Sequence, residues 1–341
     1  MLKKILYLHI GRAKTGSTAL QVFLRENRKL LAQMGYCYPE TGTRSFSSQQ
    51  LEIAMACHQA GSVSKEELLS LRTEFEDETL PFKNIIVSSE AFQNVVKDER
   101  LNVFFRRSFS KNPKSPGNLT TNAYDIHVIC YLREFLDFAK SAWSQKIQAT
   151  GTFCSLREYC ARLKRFSLRT FLGFWETFAD NVEFVSYENA CKKANGVVSD
   201  FVERLKLNLP AGQRQIDSNP TISGNLLVFK LVMNKVTPHD QAYYPAFHRL
   251  ALAEPRFREP FRISKSDAAH LRREYREYNE TLRSTVDAFP EKDFSDRLPL
   301  YDPANWSNDI ERFLAEPELA HLRELNEIRR LDPGTWNLIG V

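Results

Sequence analysis

The apolar run Ile5-Leu6-Tyr7-Leu8-His9-Ile10 ends in a loop with glycines at 11 and 16, and the chain passes straight from that loop into an amphipathic pattern. Few features constrain a fold as tightly. A buried strand that feeds a glycine loop and then a helix is the opening unit of a parallel sheet with helices on its faces. In the helical part, Leu20, Phe23, Leu24, Leu30, Leu31 and Met34 recur at helical spacing, and Gly35 is placed to end the run as a C-terminal cap. Three more short runs rich in Ile and Val follow, at 84–89, 126–132 and 182–186, with helical patterns between them. Each is compact and apolar without clean alternation, as strands covered on both faces require. The expectation is an α/β fold: a three-layer, P-loop-type parallel sheet flanked by helices.

Past about Thr221 the strand signals stop. The stretches 264–283 and 308–330 carry many Glu/Arg and Glu/Lys pairs three or four residues apart, which reads as charged helix. The expected division is a core over 1–210 and a mostly helical C-terminal extension over 211–341. The segment 111–122 (KNPKSPGNLTTN) reads as an exposed loop.

Composition removes several classes of protein. Apolar residues make up 43 % and charged residues 26 %, which is ordinary for a globular chain and excludes disorder. A net charge of +5 over 341 residues favours anionic ligands mildly, and no basic stripe interleaved with aromatics points to nucleic acid. No stretch approaches the ~18 uncharged apolar residues of a membrane span. Lys3 and Lys4 precede an apolar run, but that run is too short for a secretory leader, and Arg12 and Lys14 follow at once. The six cysteines show no C-x-x-C pair, so reduced thiols, no metal site and a cytoplasmic location are expected.

The loop carries the chemistry. Backbone N–H groups of such a turn, together with a helix N-terminus, cradle a phosphate, and the glycines let the backbone come close. The nucleotide-hydrolase frame G-x-x-x-x-G-K-[ST] is nearly present, but the position after the second glycine is Ser17, and the lysine, Lys14, lies inside the loop. A lysine there sits nearer the first phosphate and its bridging oxygen than the β/γ-phosphates. No strand ends in an Asp placed to hold magnesium.

The run HIG-RA-KTGST-ALQ resembles the 5′-phosphosulfate loop of sulfotransferases that use 3′-phosphoadenosine 5′-phosphosulfate (PAPS), above all bacterial carbohydrate sulfotransferases. Tyr131-Leu132-Arg133 at the third predicted strand's end, with Ser141 eight residues beyond Arg133, resembles the family's 3′-phosphate site. VEFVSYENA resembles the family segment whose tyrosine lies by the adenine, here Tyr187. The resemblance spans about residues 3–210. The late RKG-type loop and the paired histidines of many eukaryotic members are missing; for the loop, Arg256, Arg258 and Lys265 offer only charge.

The resemblance implies a donor site of Arg12, Ala13, Lys14, Thr15, Gly16, Ser17, Thr18, Ala19, Arg133, Ser141 and Tyr187, with PAPS as donor and no metal. Sulfuryl transfer needs an in-line acceptor hydroxyl, a base, and positive charge at the leaving phosphate. Lys14 is the expected leaving-group cation. Glu90, just past the second predicted strand, is the expected base, since ligands of open parallel sheets bind outside the strands' carboxyl ends. His9 leaves its strand on the same edge, and Arg12 projects from the loop. The implied acceptor is a sugar, glycolipid or polysaccharide, and a glycolipid would bring peripheral contact with the inner membrane face. Two alternatives stay open: a small-molecule kinase on the same scaffold, and a non-catalytic nucleotide-binding protein. The arginines around PRFREPFR are either a solvated face or an anionic contact surface.

Overall fold

The computed structural model describes residues 3–44, 48–58, 63–106, 124–163, 166–208, 221–286, 298–324, 328 and 333–338. The expected loop at 111–122 lies outside them. Five strands, β1 (Lys4–His9), β2 (Tyr36–Cys37), β3 (Asn84–Ser88), β4 (Tyr124–Leu132) and β5 (Asn181–Ser186), form one all-parallel sheet in the order β2-β3-β1-β4-β5. The fold is α/β, with helices on the sheet and a helical C-terminal region.

Strand β1 lies between β3 and β4, with Tyr7 beside Ile86 on one side and His127 on the other. Its side chains alternate between two covered faces. Ile86, Ile129 and Tyr131 form one core with Leu20 and Leu24 of helix Ser17–Glu26, Leu31 of helix Arg28–Gln33 and Phe201 of helix Val197–Arg204. On the opposite face Tyr124 meets Phe75 of helix Lys65–Thr79, and Phe92 meets Trp175 of helix Leu168–Phe178. A fully buried leucine in such a layer contributes about 2 kcal/mol by leaving water.

The helical run expected to end at Gly35 is two helices. Asn27 breaks the pattern, and its side-chain amide donates back to the Phe23 carbonyl at 2.8 Å. Gly35 ends the second helix at φ +82°, a backbone that a side chain resists. It turns the chain into β2.

The chain forms two compact units. The first comprises Met1–Arg133, Ser167–Ile216 and Thr281–Phe289, and the second comprises Glu134–Phe166, Asp217–Glu280 and Pro290–Val341. No single cut near residue 210 produces them, because Glu134–Phe166 belongs with the C-terminal segments. The charged stretch 264–283 is two helices, Lys265–Glu274 and Arg276–Thr285, meeting at Tyr275. In the stretch 308–330, helix Trp306–Phe313 is followed by a short 3₁₀ turn, Ala320–Glu324, and Ile328 is again helical. Within the second unit, Asn279 fixes the start of helix Phe135–Ala149: its Oδ1 accepts from the Phe135 N–H at 3.2 Å and its Nδ2 donates to Glu134. Among the described residues no helix is long and apolar enough to cross a membrane.

Candidate functional site at the carboxyl edge of the sheet

An all-parallel sheet sends every strand's carboxyl end to the same edge. In the first unit that edge gathers the loop after β1, Glu90 after β3, Arg133 after β4 and Tyr187 after β5. Lys14 and Tyr187 lie 173 residues apart in sequence, and the sheet order brings their strands to one edge.

The loop is built on two left-handed residues. Gly16, at φ +76°, is the residue before helix Ser17–Glu26 and supplies no side-chain cap, so the first-turn N–H groups are left for a ligand. A Cβ on Gly16 would sit 3.1 Å from Val197 Cγ2 and 3.6 Å from the Tyr187 ring, so glycine meets both a backbone and a space requirement. Lys14 is the unusual one: a lysine at φ +68°. A side chain in that region costs about 1 kcal/mol. Two contacts hold it there: the Thr15 hydroxyl donates to the Arg12 carbonyl at 2.5 Å, and Arg133 Nη1 donates to the Lys14 carbonyl at 2.9 Å. The Arg133 guanidinium also lies 4.9 Å from the centroid of the Tyr187 ring. Three residues singled out from separate parts of the sequence therefore touch in one chain of contacts, Lys14–Arg133–Tyr187.

In the second unit Glu134 caps its helix, accepting from the Asp137 N–H at 2.8 Å, and pairs with Arg272.

Lys14 and Glu90 sense each other's charge without forming a direct ion pair. Burial lowers the Lys14 pKa, the Glu90 carboxylate opposes that shift, and Arg133 adds to it. Burial raises Glu90 above the usual carboxylate value, while the Ser17 hydroxyl and Lys14 oppose the rise. Ser17 Oγ lies near enough to Glu90 to favour its charge, yet outside the geometry of a hydrogen bond. Glu90 does not cap the short helix it opens; Ser89 does, its hydroxyl oxygen accepting from the Ala91 N–H. A cation with a weakened hold on its proton and a carboxylate with a strengthened one share this edge, the pairing that proton transfer and leaving-group stabilisation use.

Thr15 and Ser17 are buried, Arg12 is nearly so, and Ala13 and Ala19 are half-buried, while Thr18 is exposed at the start of the helix. Ser141 is carried by the second unit, half-buried on helix Phe135–Ala149. Gln21 escaped the sequence reading. Its side chain is buried and its Nε2 has no hydrogen-bond partner among the described residues. The available signal was a position one helical turn past Ser17, on the same face.

The arginines around PRFREPFR are largely engaged within the second unit. Arg256 makes a two-pronged ion pair with Asp309 at 2.6 and 2.9 Å and contacts Glu254, and Arg249 binds Glu316 and Glu318. No family model, no curated protein and no solved structure matches the chain.

Proposed function

We propose that the protein is a PAPS-dependent sulfotransferase that sulfates a hydroxyl of a carbohydrate, glycolipid or polysaccharide. One observation carries the reading: the glycine loop with its displaced lysine, the strand-exit arginine and the tyrosine after the last strand form one contact cluster. The residues also fit the chemistry of the donor. The uncapped helix start and the buried Ser17 hydroxyl suit a phosphate, and Arg133 suits a second one.

The bound donor would supply the sulfuryl group. The chain's own residues do the rest. Lys14 sits where negative charge grows on the leaving oxygen and stabilises it. Glu90 accepts the acceptor's hydroxyl proton, and Arg133 holds both the ligand and the carbonyl that fixes Lys14. A sulfuryl group carries less charge than a phosphoryl dianion, so side-chain cations and backbone dipoles are adequate for it.

The test is transfer of label from ³⁵S-PAPS to a panel of polysaccharides and glycolipids, with release of 3′,5′-ADP. The expected result is labelled acceptor with wild type and none with Lys14→Ala. Binding of 3′,5′-ADP without transfer to any acceptor would favour a non-catalytic binding protein. Preferential binding of Mg·ATP would favour a kinase.

A further inference from the structure

His9 is fully buried, and burial pushes its imidazole down to about 3, so the ring is neutral. Its Nδ1 lies 2.7 Å from Ser88 Oγ. Its Nε2 has no hydrogen-bond partner, and neither has Ser17 Oγ on the next element, where the residue is only 2 % exposed. Two orphaned polar atoms in one small region are rare, because burying an unpaired polar group costs about 1–3 kcal/mol. Both overlook the same side of Gly11: a Cβ built there would lie 2.8 Å from His9 Nε2 and 2.9 Å from Ser17 Oγ. Gly11 is not among the left-handed residues, so its backbone does not call for glycine. Glycine is needed there because His9 and Ser17 close in on its Cα.

The two orphans flank Gly11 from the same side, at the uncapped start of the ten-residue helix Ser17–Glu26. We propose that His9 is held as the neutral Nε2–H tautomer by the Ser88 hydroxyl, and that His9 Nε2–H and Ser17 Oγ–H together donate to one oxygen of an anionic phosphate or sulfate group over Gly11. The alternative tautomer would turn a bare nitrogen lone pair toward that anion. A neutral donor suits the position, because a second charge would compete with Lys14 for its electrostatic role. The inference rests on reading the loop as an oxyanion site and deepens it by assigning a positioning residue and an atom.

Nitrogen-15 NMR of the histidine side chains tests it on the intact protein, with His9 assigned by its loss in His9→Gln. The expected result is an Nε2–H tautomer from pH 5 to 8, with its Nε2 signal shifted when 3′,5′-ADP or inorganic phosphate is added. An Nδ1–H tautomer, or a signal that saturating anion leaves unmoved, would overturn the proposal. Calorimetry adds a second arm. A Gln at position 9 can return an amide donor to the Nε2 place, whereas an Asn reaches only the Nδ1 place. His9→Gln should bind within about threefold of wild type, and His9→Asn and Gly11→Ala should lose about tenfold or more. Equal binding by His9→Asn and wild type would overturn the donor role. Should 3′,5′-ADP fail to bind wild type while phosphate binds, the donor assignment falls and the His9 readout still stands on phosphate. If neither anion binds, both fall.

Discussion

The charged residues at the sheet edge and those of the helical unit have been put to opposite uses. In the helical unit Arg256 meets Asp309, Arg249 meets Glu316 and Glu318, and Glu134 meets Arg272 and Asn279. Each of these charges is answered by another side chain, and the arrangement reads as scaffold. At the sheet edge Lys14 and Glu90 sense each other without pairing, and His9 and Ser17 keep buried polar atoms without partners. The backbone is strained there too, at a lysine with φ +68°. Unanswered polarity and strain are destabilising by themselves, and they persist where a ligand completes them. The lesson is that the location of charge identifies a site poorly, and its state of satisfaction identifies it well.

The largest effect should come from breaking the edge at Lys14. Lys14→Ala is expected to cut sulfuryl transfer about 10³-fold in a label-transfer assay. Lys14→Gly should do the same to activity while raising thermal stability by about 1 kcal/mol in calorimetry, because glycine accepts the left-handed backbone. A stabilised, inactive variant is the signature of a strained functional residue; a destabilised one would return Lys14 to the scaffold class.

Glu90→Gln should lower turnover about 10²-fold. The base must be ionised, and its pKa is raised, so wild-type turnover should fall as pH drops through a value above the ordinary carboxylate range. The same shift has a stability sign. A carboxyl whose folded pKa is raised weakens the fold above that pKa, and the penalty shrinks as pH falls from there to the unfolded value, below which it is gone. Glu90→Gln should therefore be the more stable protein at neutral pH by thermal denaturation, with the advantage lost in acid.

Lys230 sharpens the contrast from the other side. It is 2 % exposed on helix Gly224–Val236, donates to Asn234, and is lowered by burial to about 8. Below pH 8 it is charged in both states and the fold bears the full desolvation cost; between that value and 10.5 only the unfolded chain is charged, so stability rises with pH. Lys230→Met should stabilise the fold at pH 7, on the order of 2 kcal/mol, with the gain shrinking through that window and binding of 3′,5′-ADP unchanged. A loss of binding would remove Lys230 from the scaffold.

Much of the fold was legible because burial on two faces writes a strong local signal. The four apolar runs are four of the five strands, and the glycine loop lies between β1 and its helix as expected. The fifth strand, Tyr36–Cys37, is two residues long, and no periodicity exists over that length. Its anchor, the Tyr36 hydroxyl donating to the Leu205 carbonyl at 2.9 Å, is a contact across 169 residues that no local pattern encodes. The break at Asn27 was invisible because apolar spacing continues through it.

At the site, loop chemistry and the strand-end position picked out Lys14 and Glu90, and the family resemblance picked out Arg133 and Tyr187. That Arg133 grips the Lys14 carbonyl depends on the strand order, which sequence does not state. The close approach of His9 and Ser17 to Gly11 was equally hidden, since a glycine kept for a close contact and one kept for a turn look alike in a sequence.

The central claim is that the sheet edge recognises a 3′,5′-bisphosphorylated nucleoside through Arg133. Calorimetric titration of wild type and Arg133→Ala with 3′,5′-ADP, 5′-AMP and Mg·ATP tests it most directly. The account predicts that wild type prefers 3′,5′-ADP by tenfold or more, about 1.4 kcal/mol, and that Arg133→Ala abolishes this preference. Equal affinity for 5′-AMP and 3′,5′-ADP in wild type, or tighter binding of Mg·ATP, would contradict it.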